Sequence, residues 1–191
     1  MMASTLDERR RALEDSFFAK KNAQLLDALR DELAQADRKR ALSASARIED
    51  ENALDLLLQA NISGESLIAF KLLPMIEVAW ADKSIDQRER DAILTAAEAS
   101  GIQSSDVAHQ LLKNWLEQPL TEELKAAWRA YARALAETLD NAQYDVFRAE
   151  ILEKAHDVAR AAGGILGIGN KISTVEAQVM ADLEQAFARS R

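Results

Sequence analysis

Six glycines and two prolines are all that interrupts this chain, and their placement constrains its fold more than any other feature. The glycines are Gly64, Gly101, Gly163, Gly164, Gly167 and Gly169, and the prolines are Pro74 and Pro119. Between these points the chain is dense in Ala, Leu, Glu, Arg and Gln, which cost little in a helix interior. No stretch shows the sustained alternation of β-branched residues expected of a strand. The chain is therefore expected to be all-α: a multi-helix bundle preceded by a long N-terminal amphipathic helix and a short helix.

Composition excludes several classes of chemistry. With 191 residues, 48% of them hydrophobic, the chain can bury a real core in one or two domains. It has no cysteine, which removes disulfides, a thiol nucleophile and thiolate metal sites. Two histidines leave little room for zinc hydrolase or Ser-His-Asp layouts. A net charge of −8 argues against nucleic acid held on a basic surface. Residues 1–11 are charged rather than apolar, with no signal-peptide core. The longest apolar stretch, Leu67 to Ala81, contains Lys71, Pro74 and Glu77 and is too short to span a bilayer. It reads as a buried core helix, so no membrane insertion and a cytoplasmic location are expected.

Capping residues divide the chain further. From about Leu6 to Leu42 one helix is expected, with Leu25, Leu26, Leu29 and Leu33 on one stripe and Phe17 and Phe18 upstream. Asp50 opens a short helix carrying Leu54, Leu57 and Leu58, and Ser63 is the expected cap of the helix that ends near Ala81. Asp86-Gln-Arg-Glu89 forms a capping box, and the helix it opens ends at Ser100-Gly101. Ser104 or Ser105 opens the next, expected to bury Val107, Leu111 and Trp115 and to stop before Pro119. Thr121 and Asp140 open two more, the second closing at Gly163, and Ser173-Thr-Val-Glu176 is a capping box for the last helix. The two boxes echo one another, each with an isoleucine before the cap and a Glu at its third helical position.

Few residues could carry chemistry. Asp82, Asp86 and Glu89 surround a tight turn, and such oxygen ligands suit a divalent cation such as Ca²⁺, Mg²⁺ or Mn²⁺. The turn is a poor EF-hand loop, since Gln87 stands at the glycine position and Ile93 at the bidentate glutamate position. Helix capping alone also accounts for Asp86 and Glu89. Glu77 stands beside Phe70, Leu73 and Trp80 on an apolar helix face, where a carboxylate must be ion-paired, protonated or a metal ligand. Asp106-x-x-His109 and Glu153-x-x-His156, with Glu77 and Glu137, mimic a di-iron set. The helical wheel opposes it, because Asp106 and His156 point away from their apolar stripes and both histidines read as outward-facing. In Gly163–Lys171, Asn170 separates Gly169 from Lys171 and a helix precedes, so the segment reads as a flexible connection rather than a phosphate loop. Arg9, Arg10, Arg11, Lys20 and Lys21 are interleaved with acids and read as a solvated helix face.

The stretch Phe70-Lys-Leu-Leu-Pro-Met-Ile-Glu-Val-Ala-Trp-Ala-Asp-Lys-Ser-Ile-Asp-Gln-Arg-Glu-Arg-Asp-Ala-Ile resembles the signature of the TerB-like, tellurite-resistance-associated helical domains. That signature is an apolar helix, Ala-Asp-Gly-x-Ile-Asp, then a helix opened by Glu. The resemblance covers roughly residues 66–162 and rests on Ala81, Asp82, Ile85, Asp86 and Glu89. Lys83 departs from it, standing where the family usually has Gly. The resemblance implies a helical bundle, bacterial stress response, metal binding by acidic residues in some members, and no defined enzymatic activity. The opening Glu14-x-x-Phe17 with Gln24-Leu-Leu is similar to small helical bacterial proteins that inhibit the rotary ATP synthase, which implies a partner-binding N-terminal helix.

The expected organisation is a helical N-terminal region, 1–62, and a TerB-like bundle, 63–191. The expected role is a non-enzymatic interaction or scaffold module that meets a protein partner through helical surfaces. The alternative is a metal-responsive module using Asp82, Asp86, Glu89 and Glu77; an enzyme of unknown reaction is a more distant one.

Overall fold

The computed structural model describes residues 2–162 and 173–187, and among them every regular element is an α-helix. The expected connection at Gly163–Lys171 lies outside the described residues. The chain divides into two compact units, residues 1–40 and 41–191. The division falls ahead of the expected one near residue 62, because the short second helix belongs to the bundle.

Helix α1 (Met2–Ala46) makes up the first unit, and its last turn begins the second. In the first unit, exposed ion pairs at helical spacing, Arg30 with Asp27 at 3.0 Å and Arg40 with Asp37 at 2.6 Å, flank the leucines. Such pairs contribute only about 0.2–0.5 kcal/mol each.

The second unit starts at buried Leu42 and Ala46. Arg47 ends α1 in the left-handed conformation, at φ 57°, and Ser43 Oγ donates to the carbonyl of buried Ile48. Asp50 caps α2 (Glu51–Gln59), accepting from the Ala53 amide at 2.6 Å. The end of α2 is tied by Asn61 N–H to Leu58 O and Ile62 N–H to Leu57 O, with Asn61 left-handed.

The expected helix from Ser63 to Ala81 is two helices. Ser63 and Ser66 hydrogen-bond each other in a turn, and α3 (Leu67–Phe70) starts only after it. A break at Lys71-Leu72 precedes α4 (Leu73–Ala79), with Pro74 in its first turn. Proline has no N–H to continue the ladder, so it starts a helix rather than bending one. Every residue of α4 is buried except Glu77, and α4 packs against α5, α8 and α9.

Both capping boxes form. Asp86 opens α5 (Gln87–Ala99) and Ser173 opens α9 (Thr174–Ala186). Gly101, at φ 89°, closes α5 with Ile102 N–H to Ala97 O. Helix α6 (Val107–Glu117) buries Ala108, His109, Leu112 and Leu116 rather than the expected Val107, Leu111 and Trp115, and its N-cap is Asp106, not a serine. Both stripes have helical period and lie about 100° apart, so periodicity alone cannot choose between them. Packing against α3 decides it. His109 is therefore buried, not outward-facing.

Thr121 caps α7 (Glu122–Thr138), and Asp140 Oδ1 accepts from Gln143 N–H at the start of α8 (Asn141–Ala162). Helix α7 packs against α2, and its Trp128 and Tyr131 join Phe70, Phe147, Tyr144 and Phe187 in an aromatic cluster with centroids 5.4–6.4 Å apart. Tyr144 Oη donates to Phe187 O, which ties α9 to α8, whereas the buried Trp128 Nε1 has no hydrogen-bond partner among the described residues.

Candidate functional site

Two places emerge: an exposed apolar face in the first unit and an acidic turn in the second. On α1, Leu25, Leu26, Leu29 and Leu33 are 60%, 54%, 51% and 54% exposed. At about 100° per residue all four fall within a quarter or so of the helix circumference. Other large exposed apolar side chains, such as Val107, Val146 and Val175, sit singly on separate helices, and single exposed apolar residues are ordinary. Four leucines on one face of one helix are not.

The acidic turn joins α4 to α5. Its backbone turns at Lys83, which is left-handed at φ 72°. Glycine is the residue that takes that conformation at least cost. Each acid has a local partner. Asp82 Oδ1 accepts from Ser84 N–H and Oγ, and Asp86 Oδ1 from the amides of Arg88 and Glu89. Glu89 Oε2 accepts from Asp86 N–H at 2.8 Å. Glu89 is only 4% exposed, and burial holds its carboxyl up at about 7. The Asp86 amide pulls it down, while the charges of Asp86, Asp82 and Glu176 push it up. Glu176 is itself 6% exposed in the second capping box, where its Oε2 accepts from Ser173 N–H. The charge of the second box therefore reaches the buried carboxyl of the first.

Glu77 does not join the turn. It meets Arg129 of α7 at 2.8 Å, with its side chain 12% exposed and that of Arg129 34%, so it is an ion-paired carboxylate between α4 and α7. Among the described residues, no three His, Asp or Glu side chains converge in a group that could hold a metal ion. Arg129 was invisible to sequence reasoning: it lies 52 residues from Glu77, and only the packing of the helices brings them together.

Two further long-range bonds brace the neighbouring helix end. Trp80 Nε1 donates to Trp115 O at 2.9 Å and Arg90 Nη2 to Leu116 O at 3.1 Å. These carbonyls lie in the last turn of α6, where no helical amide reaches them. No described helix is long and apolar enough to cross a membrane. No family model, curated protein or solved structure matches the chain.

Proposed function

We propose that this chain is a non-enzymatic helical interaction module, similar to TerB-like stress-response proteins, whose α1 helix meets an apolar-faced helix of a protein partner. The exposed leucine stripe of α1 carries this reading. A helix in water gains most of its stability by burying an apolar face, and a lone helix has nothing of its own to bury it against. A narrow stripe with a spacing of three and four residues suits helix-on-helix packing. The TerB-like part of the reading draws support from the turn at Lys83, whose backbone is the one the family's glycine serves.

The test replaces Leu29 and Leu33 with Glu in the full chain. Both are exposed, so the melting temperature stays within a degree or two of the parent, since such surface changes alter stability by roughly 0.5 kcal/mol or less. Co-purifying partners are lost. An unchanged partner set contradicts the reading. A divalent ion that raises the melting temperature in the parent but not in Asp82→Ala turns it toward a metal-responsive module.

A further inference from the structure

We propose that a cleft in the second unit, apart from the α1 face, binds an extended, basic peptide segment. The cleft lies where the end of α2, the last turn of α6 and the first turn of α7 meet, and its volume is about 550 Å³, within the range of ligand sites. Its polar lining is chemically one-sided. Gln59, Asn61, Asn114 and Gln118 contribute four side-chain amides, Glu117 and Glu123 two carboxylates, and no Lys or Arg lines it. None of these six side chains forms a hydrogen bond or ion pair within the described structure.

An amide both donates and accepts, as a peptide group does, so a set of four fits an extended backbone. The carboxylates fit Arg or Lys side chains on that backbone. Trp115 and Leu120 line the same cleft and offer apolar contact to the aliphatic stems, and an aromatic ring also attracts a guanidinium. The wall on the α6 side is held in advance. The carbonyls of Trp115 and Leu116 are fastened to Trp80 and Arg90, so little ordering is left for the moment of binding.

The full-length protein is titrated with fluorescently labelled Ac-Ala-Arg-Ala-Arg-Ala-NH2, with the corresponding glutamate peptide and with free argininamide. The arginine peptide binds saturably and the glutamate peptide does not. Glu117→Gln and Glu123→Gln each weaken binding about threefold, and together about tenfold, as solvent-screened charge pairs would. Asn114→Ala weakens binding while the preference for the arginine peptide remains. Leu29→Glu changes nothing, which separates this site from the α1 reading. Equal binding of both peptides, wild-type affinity in the double carboxylate variant, or no saturation by the arginine peptide overturns the proposal. Argininamide binding as tightly as the peptide also overturns it, because the amides would then read no backbone.

Discussion

Glu89 shows how one buried carboxyl ties stability to pH. Its carboxyl is held at about 7 in the folded chain against 4.5 ordinarily. Between these values the folded state binds a proton that the unfolded state has released, so stability is greatest at the acid end and falls as pH rises to about 7. Glu89→Gln keeps an acceptor for the Asp86 amide and removes the titration. Between about pH 5 and about pH 8 the parent should lose about 1–3 kcal/mol relative to this variant, read by denaturant melts at both values. Parallel losses in the two proteins contradict the assignment.

Arg129→Ala strands the Glu77 carboxylate and should cost about 1–3 kcal/mol, less than a fully buried pair because Arg129 is partly exposed. Adding Glu77→Ala should recover part of that loss in a double-mutant cycle. Lys83→Gly should gain about 0.5–1 kcal/mol by relieving a left-handed lysine, net of the extra freedom glycine gives the unfolded chain. The oddity of Glu77 is legible in the sequence. The partner of Glu77 is not, because several arginines follow it and only tertiary packing selects Arg129.

At the scale of elements, local chemistry was the readable part. Asp50, Asp86, Thr121 and Ser173 each cap the helix expected of them, because a cap depends only on residues within a turn. The misplacements have two causes, a competing local turn at Ser63 and distant packing of α6 on α3. Ser63 bonds Ser66 in a turn instead of capping, and α6 turns a different stripe inward. Gly101 gives the sharpest element-level prediction. A Cβ there meets no atom within 4 Å, yet φ is 89°, so Gly101→Ala should cost about 1 kcal/mol through backbone strain alone. A neutral result in a thermal melt would mean that the end of α5 relaxes to another conformation. Gly64 is the opposite case: its added Cβ would lie 2.6 Å from Ser45 Oγ and 3.2 Å from Ser45 Cβ, and turning the hydroxyl away would break the bond it donates to Ala41 O.

For the whole molecule, charge and burial divide at the same place as the two units. Residues 1–40 carry nine basic and eight acidic side chains, and residues 41–191 carry fifteen and twenty-four, so the acidic excess belongs to the second unit. The described core also begins at Leu42. A chain of residues 41–191 should therefore fold with a melting temperature close to that of the full protein. A large loss would show that residues 1–40 stabilise the bundle rather than serve a partner.

The most direct test of the docking role of α1 is site-specific photocrosslinking of the full chain in its native host. A photoreactive residue is placed at Leu29, within the leucine stripe, or at Asp31, about 160° away around the helix. Crosslinks to a partner from position 29 and none from position 31 are the predicted outcome. Equal crosslinking from both positions, or from position 31 alone, contradicts the account.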